Sequence, residues 1–141
     1  MKDGIPLRVK VSASVSRGSI WHGAIPIAKL PRLAAVLTDS EGELRVELAA
    51  ERTIAGAFRL HGGIAGALGL TCQTCMADFR WPLQIGLDLR LVFNEAEERR
   101  LLQECEPFLV EDDTLHLHEL VEEEALLAVP FAPRCEACAA V

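Results

Sequence analysis

The sequence of 141 residues predicts an α+β fold, with an antiparallel sheet that could be barrel-like and with one early and one late helix. Three patterns support this prediction. Several segments alternate apolar and polar residues, as half-buried strands do. Two other segments repeat apolar residues every three or four positions, as helices packed on one side do. A glycine-rich run separates two of the alternating segments, and glycines inside strands are typical of bulges and barrel-like bends.

The first half of the chain is predicted to hold a strand, a short helix and a second strand. Residues 7–15 alternate almost strictly, which predicts a strand. Residues 26–37 predict a short helix, with Pro31 near its first turn, where proline is tolerated. Residues 43–48 return to the two-residue period of a strand. The apolar positions on which the predictions of the helix and the second strand rest are Ile27, Leu30, Leu33, Leu37, Leu44, Val46 and Leu48.

The second half is predicted to hold a long strand and the late helix. After the glycine-rich residues 56–69, residues 79–93 alternate throughout, and Pro82 among them indicates an edge, a bulge or a break. Residues 117–128 predict the late helix, which Pro130 ends. Its predicted apolar arc also contains Glu124, whose carboxylate would then need a hydrogen-bonding partner. The other members of this arc are Leu117, Leu120, Val121, Leu127 and Ala128.

Composition and motifs narrow the class of protein. A hydrophobic fraction of 50% and a charged fraction of 25% fit one globular domain spanning residues 1–141. No segment has the roughly 18 apolar residues of a membrane span, and the N-terminus lacks the apolar centre of a signal peptide. We therefore expect a cytoplasmic protein with no membrane partner. Phosphate-binding, nucleophile-elbow and zinc-protease motifs are missing, so we expect no enzyme, no catalytic residues, no organic cofactor and no small-molecule substrate.

The net charge of −7 is concentrated in one part of the chain. Residues 95–124 contain 12 acidic and 2 basic residues, which leaves 9 acidic and 12 basic residues elsewhere. An acidic protein is a poor candidate for tight, nonspecific RNA binding, because phosphate contacts dominate such affinity. The remainder could still present a modest basic face, although solvated surface charge explains it more simply. That face would consist of Arg45, Arg52, Arg59, Arg80 and Arg90.

Four of the five cysteines form two Cys-x-x-Cys pairs, Cys72 with Cys75 and Cys135 with Cys138. Each pair can supply two corners of a tetrahedron, so together they predict a structural zinc site with four thiolate ligands. The 59 residues between the pairs far exceed the roughly 15 to 20 of a compact zinc ribbon. Such a site would instead staple the C-terminal end to a strand. Cys105 is interpreted as an ordinary thiol.

Other interpretations of the cysteines remain open. The pairs could be free of metal, or could hold an iron–sulfur cluster. Thioredoxin-like redox chemistry is a further alternative, although neither pair opens a helix in a βαβ pattern and no sequence feature predicts a lowered thiol pKa. His116 and His118 could add a metal ligand, but solvent-facing positions explain them more simply.

Three segments resemble the YceD family of bacterial proteins. Residues 70–75, L-T-C-Q-T-C, are similar to the family's L-x-C-Q-R-C turn, with Thr74 in place of the usual arginine. Residues 117–130, L-H-E-L-V-E-E-E-A-L-L-A-V-P, resemble the family's L-V-E-E-E helix, with His116 where the family often has aspartate. Residues 23–33 are a looser match. The resemblance marks Cys72, Cys75 and the late helix as family positions.

The resemblance implies an accessory factor that promotes the accumulation or assembly of large-subunit (23S) ribosomal RNA. The partner it suggests is a ribosomal protein or the ribosomal RNA of the large subunit. Since ribosomal proteins are strongly basic, the acidic segment would suit such a protein at least as well as RNA. Two alternatives stand beside this hypothesis. One is a thiol–disulfide redox protein that uses the cysteine pairs, and the other is a structural zinc-binding module unrelated to ribosomes.

Overall fold

The computed structural model describes residues 5–139 and has an α+β architecture, as the sequence predicts. The strands are β1 (Arg8–Lys10), β2 (Ile20–Pro26), β3 (Glu43–Arg52), β4 (Phe58–Thr71), β5 (Asp78–Val92), β6 (Glu106–Leu109) and β7 (Thr114–His116). The helices are α1 (Val11–Arg17), α2 (Pro31–Ala34), α3 (Glu95–Leu101), α4 (Leu117–Ala128) and α5 (Glu136–Ala139), with a 3-10 turn at Ile27–Lys29. In addition to the expected early and late helices, α2 and α4, the structure has three short helices, α1, α3 and α5.

The main sheet has five strands in the order β2-β3-β4-β5-β6. Its first four strands form an antiparallel meander, and β6 adds in parallel to the end of β5. Strands β1 and β7 form a separate antiparallel pair. The expectation of a barrel-like sheet is wrong, because β2 and β6 remain edges that do not pair with each other in residues 5–139.

The glycines of β4 mark close approach of backbones and not bulges. The register of β4 runs without interruption against both β3 and β5. Gly62 pairs with Leu48 and has a φ of 152°, and a Cβ placed there would collide with the backbone carbonyl of Glu47. Only a residue without a side chain fits that position. The glycines therefore let β4 continue without a bulge close to the backbones of its neighbours.

Pro82 lies on a free stretch of β5. The strand pairs with β4 along its whole length, whereas β6 covers only Leu89–Val92 on the other side. Because proline has no N–H to donate, an edge position is where a strand tolerates it. The edge interpretation of Pro82 is confirmed, and the alternating residues 79–93 correspond to β5 within one residue at each end.

One hydrophobic core fills the space between the helices and one face of the sheet. Leu44, Val46 and Leu48 of β3 are buried in it, as their alternation predicts. So are Ile27, Leu30 and Leu33, although their helix is divided into the 3-10 turn and α2, with Pro31 as the first residue of α2. Within residues 5–139, no helix has both the length and the apolar character to span a membrane.

The prediction of a strand over residues 7–15 is wrong beyond Lys10. Residues 11–17 form α1, which buries Val11, Ser14 and Val15 on one side. Its N-terminal end is fixed by Asp113, which accepts hydrogen bonds from the backbone N–H and the hydroxyl of Ser12. Gly18 ends the helix in a left-handed conformation, with φ at 60°. The alternating valines fit either period, and a residue about 100 positions away decides between them.

The predicted apolar arc of α4 is rotated relative to the observed one. The buried residues are Leu117, Leu120, Val121, Glu122 and Ala125. Leu127 is instead 75% exposed. The buried carboxylate is therefore that of Glu122 and not of Glu124, which is half-buried. Glu122 accepts hydrogen bonds from the backbone N–H groups of Arg32 and Leu33, at 2.8 and 3.2 Å, and thereby ties α4 to α2.

Candidate metal centre and acidic surface

The first cysteine pair lies in the turn that joins β4 to β5. Cys72 directly follows β4, and its backbone N–H donates to the carbonyl of Ala77, which precedes β5. The carbonyl of Cys72 accepts from the N–H of Met76 at 2.9 Å, and Met76 has a left-handed backbone with φ at 63°. This tight turn directs Cys72 inward, where it is fully buried, and leaves Cys75 exposed.

The second pair lies in the C-terminal segment, which returns to that turn. The carbonyl of Cys135 accepts from the N–H groups of Cys138 and Ala139, so that α5 wraps Cys135 and Cys138 towards the same side. The segment is bound to the first turn by a hydrogen bond of 2.8 Å from the N–H of Gln73 to the carbonyl of Pro133. The C-terminal segment therefore lies against the end of β4, which is the arrangement that the sequence predicts for a site joining the two.

The four sulfur atoms of Cys72, Cys75, Cys135 and Cys138 all lie within 4.8 Å of one another. The Sγ atoms of Cys75 and Cys135 are 3.8 Å apart. Tetrahedral zinc at about 2.3 Å from each thiolate separates its sulfur ligands by about 3.8 Å. All four thiols are free, since no sulfur pair is at the bonding distance of a disulfide. The cluster therefore has the composition and the dimensions of a site that could hold a metal ion.

The surroundings of the Cys72 sulfur favour its thiolate form. Backbone N–H groups, first that of Cys75 and then that of Cys135, lower the pKa of Cys72 from 9.0 to about 5, against the opposing effect of burial. The N–H groups of Thr74 and Cys75 lie 3.4 and 3.5 Å from its sulfur. Sequence reasoning found no cause for a lowered thiol pKa, because these donors exist only once the turn has formed.

Cys138 is affected in the opposite direction. Hydrogen bonds shared with the sulfurs of Cys135 and Cys72, in that order, and burial raise the pKa of Cys138 to about 12. A cluster of four close sulfurs thus resists the accumulation of negative charge when no cation is bound. A metal ion supplies the charge that lets all four thiols lose their protons.

The other residues considered as ligands lie outside this cluster. In the part of the chain that the structure describes, no histidine joins the four cysteines. A ring nitrogen of His118 lies 2.9 Å from the carbonyl oxygen of Ile5, and His116 is an exposed residue of β7. Cys105 follows α3, where its sulfur donates to the carbonyl of Leu101.

The expected basic face is largely neutralised. Arg59 contacts both Glu51 and Asp88, at 2.8 Å each. Arg90 also pairs with Asp88, and Arg80 pairs with Asp39. Three of the five proposed arginines are therefore already in ion pairs, and a fourth, Arg52, lies over the ring of Phe58. This face offers phosphate groups little uncompensated positive charge.

The acidic segment, by contrast, has a single ion pair among the residues that the structure describes. Among residues 5–139, Glu122 is the one carboxylate of the span 95–124 that lies in an ion pair. Glu111, Glu119 and Glu123 line a crevice of about 180 Å³ between β6, β7 and α4. Phe108, Leu109 and Leu120 provide its apolar lining. Burial first, and then the charges of Glu106 and Glu123, raise the pKa of Glu124 close by.

Comparisons with known proteins agree with the resemblance. A family model described as "Large ribosomal RNA subunit accumulation protein YceD" matches residues 60–141. The chain is also 29% identical over 73 residues to the "Uncharacterized protein YlbN" of Bacillus subtilis (strain 168). This alignment covers 52% of the chain, and the chain spans 41% of the length of that relative. No solved structure matches the chain.

The family match includes the elements that build the cluster. Residues 60–141 contain β5, α4 and all four clustered cysteines, and they make up more than half of the chain. The looser segment at residues 23–33 lies outside the matched range, so its resemblance stays a prediction. Since the match covers both the Cys-Gln-Thr-Cys turn and the glutamate-rich helix that suggested the resemblance, the chain belongs to the YceD family, that of the large ribosomal RNA subunit accumulation protein.

Proposed function

We propose that this chain is a non-catalytic accessory factor in the accumulation of large-subunit (23S) ribosomal RNA, acting in the cytoplasm by binding a partner. The observation that carries the proposal is the family match over residues 60–141, whose description names that process. A cytoplasmic location agrees with the cysteines, because a reducing compartment keeps such thiols free to bind metal.

The cysteine cluster is proposed to be a structural zinc site. Four thiolates satisfy a tetrahedral zinc ion without leaving an open position for substrate, so the ion would stabilise the fold and perform no reaction. The sulfur separation of 3.8 Å and the lowered pKa of Cys72 support this assignment. Cys72, Cys75, Cys135 and Cys138 would be the ligands.

A basic ribosomal protein is the partner that the charge distribution favours over RNA. The arginines of the sheet are mostly in ion pairs, whereas Glu111, Glu119 and Glu123 of the crevice form no ion pair among the described residues. Complementary charge steers a basic protein to such a surface and would repel phosphate groups. Binding of this kind weakens as salt concentration rises.

The first experiment measures the ratio of large- to small-subunit ribosomal RNA, with precursor ends mapped, in cells depleted of the protein. A selective decrease in the large-subunit RNA, restored by the wild-type chain, is the expected outcome. Restoration by a Glu119→Gln/Glu123→Gln variant should be weaker, and a Glu43→Gln/Glu47→Gln variant on the sheet is the matched control. An unchanged ratio on depletion would contradict the proposal.

The metal assignment has a separate experiment. Purified chain should contain about one zinc ion per molecule, as expected for a site with four thiolate ligands. Cys72→Ser should lose the metal, and Cys105→Ser, which removes a thiol outside the cluster, should retain it. Metal content is measured by elemental analysis after purification under reducing conditions. Iron in place of zinc would correct the identity of the ion, and full metal content in Cys72→Ser would contradict the ligand set.

A thiol–disulfide redox function is the second candidate, and the pKa of about 5 at Cys72 is the observation that favours it. Burial argues in the opposite direction, since the most acidic thiol of the cluster is the one that solvent does not reach. A reactive redox cysteine needs both thiolate character and access. Rapid reduction of a disulfide substrate by the metal-free chain, with a small dithiol as the electron donor, would favour the redox function, whereas ordinary thiol reactivity would exclude it.

A further inference from the structure

We propose that Cys75 is an oxidation site at which a peroxide opens the metal cluster, and that Cys135 is the thiol that resolves it into a disulfide. The inference rests on the proposed metal site and adds a modification to it. The product would be one covalent bond between the β4–β5 turn and the C-terminal segment, in place of the metal ion.

Exposure distinguishes the four sulfurs. Cys72 is fully buried, and its sulfur already accepts N–H groups from Thr74 and Cys75. Cys75 is the one cysteine of the cluster classed as exposed, and Cys135 and Cys138 are half-buried. Oxidation of cysteine follows thiolate character and access to solvent. Bound metal would keep all four sulfurs as thiolates, so access selects Cys75 as the first to react.

A direct sulfur contact between the two pairs indicates the second cysteine. The Sγ atom of Cys135 lies 3.8 Å from that of Cys75, although the two residues are 60 positions apart in the chain. Cys135 also borders a groove of about 960 Å³ that Phe79, Trp81 and Arg134 line, so a small oxidant can reach this side of the cluster. The remaining partner of Cys75 within its own pair, Cys72, is held inward by its two N–H donors.

The chemistry requires a peroxide, which the proposal takes as hydrogen peroxide. The thiolate of Cys75 attacks one peroxide oxygen, so that an S–O bond forms, the O–O bond breaks and hydroxide leaves. The peroxide is thereby reduced and the sulfur is oxidised to sulfenic acid. The thiolate of Cys135 then attacks that sulfur, the S–S bond forms and the S–O bond breaks. Two protons from solvent convert both hydroxide ions to water.

The oxidised state would keep the chain's architecture while losing the metal. Two of four ligands are consumed, so only Cys72 and Cys138 remain to bind the ion, and it dissociates. The new bond still joins the same two segments, since Cys75 and Cys135 belong to different pairs. A disulfide within either pair would release the C-terminal segment instead. The location of the first disulfide therefore decides whether oxidation preserves the connection.

The experiment treats zinc-loaded chain with a few equivalents of hydrogen peroxide. Zinc release is followed with a chromogenic chelator, and disulfides are mapped by mass spectrometry of non-reduced peptides. We expect a peptide cross-linked through Cys75 and Cys135, with about one zinc ion released per cross-link. Cys75→Ser should slow the release, and Cys105→Ser should leave its rate unchanged.

Two outcomes would overturn the inference. The first is that Cys72–Cys75 or Cys135–Cys138 disulfides form first, and the second is that peroxide releases zinc while Cys75 is still unoxidised. Because Cys75→Ser could itself bind zinc weakly, the disulfide map is repeated on wild-type chain held metal-free by a chelator. If the chain never binds zinc, the metal assignment fails, while the map still tests the preference of Cys75 for Cys135.

Discussion

Glu122 is a buried carboxylate that joins two helices of the described chain. It is 5% exposed, and it accepts two backbone N–H groups of α2 and the guanidinium of Arg32. Replacement by alanine would leave the two backbone N–H groups without their acceptor, which costs about 1–3 kcal/mol. We expect Glu122→Ala to lower the free energy of unfolding by that amount, as measured by urea denaturation. The free energy of unfolding of Glu122→Gln, which keeps one acceptor oxygen, should lie between those of the wild type and of Glu122→Ala.

The matched control for this prediction is the next residue, Glu123. It lies on the same helix but is exposed and, among residues 5–139, in no ion pair. Glu123→Ala should therefore change stability by less than about 0.5 kcal/mol. Equal effects of the two substitutions would mean that the hydrogen bonds between Glu122 and α2 are not the source of the loss.

Asp88 provides a prediction about pH. Hydrogen bonds from Arg59 are the main cause that lowers the pKa of Asp88 from 3.8 to about 2. A carboxyl group with a lowered pKa stabilises the fold when ionised, and that contribution is lost as the pH falls from its unfolded pKa through its folded one. Because the carboxylate is 53% exposed, Asp88→Asn should cost less than about 1 kcal/mol near neutral pH.

The difference between Asp88→Asn and the wild type should then disappear as the pH falls from about 4 to about 2. Urea denaturation at a series of pH values measures this difference in stability, with Glu43→Gln on β3 as a control for the loss of one surface charge. A difference that increases towards low pH would show that the ion pair is not its source.

At the level of the elements, the centre of the sheet depends on Gly62. A Cβ there would collide with the backbone of Glu47, which no rotamer change can relieve. Gly62→Ala should thus separate β3 from β4 locally and destabilise the chain by about 1–3 kcal/mol. Gly86→Ala on β5 is the control, because a Cβ at Gly86 meets nothing within 4 Å. That change should be neutral or slightly stabilising in thermal unfolding.

Elements defined by local periodicity were predictable from the sequence, and those defined by distant contacts were not. The alternation in residues 79–93 identified β5 because both faces of that strand follow a simple pattern. Residues 11–17 form a helix partly because Asp113 caps them from across the chain, which no local pattern reveals. Likewise, the sequence pattern predicts α4 as a helix, but which of its faces is buried depends on where α2 packs. The local pattern therefore places Glu124 in the apolar arc, whereas the fold buries Glu122.

The cysteine cluster likewise has features that the sequence predicts and features that only the fold determines. Cys-x-x-Cys spacing was sufficient to select four cysteines, and the fold brings all four together. The pKa of Cys72 could not be anticipated, because it arises from N–H groups that the turn and the C-terminal segment direct at its sulfur. Spacing thus identifies candidate ligands, whereas their protonation depends on the folded backbone.

For the whole molecule, the cluster connects two parts that differ in apolar burial. The sheet has its own hydrophobic core, and none of the four cysteines belongs to it. The C-terminal segment, residues 130–139, is mostly exposed at the surface, with Phe131 fully so. Beyond the cluster, a hydrogen bond from the N–H of Gln73 to the carbonyl of Pro133 joins it to the first cysteine turn. Little apolar burial is therefore available to hold this segment when metal is removed.

Chelation under reducing conditions should consequently free the C-terminal segment and leave the sheet folded. Hydrogen exchange measured by mass spectrometry should become faster in residues 72–77 and 133–139, while β3, β4 and β5 keep their protection, because local opening follows local contacts. A Cys135→Ser/Cys138→Ser variant should show the same pattern without a chelator. Cys105→Ser should behave like the wild type. If chelation instead accelerated exchange throughout the sheet, the metal would be part of the global folding equilibrium, and the cluster could not be a local staple.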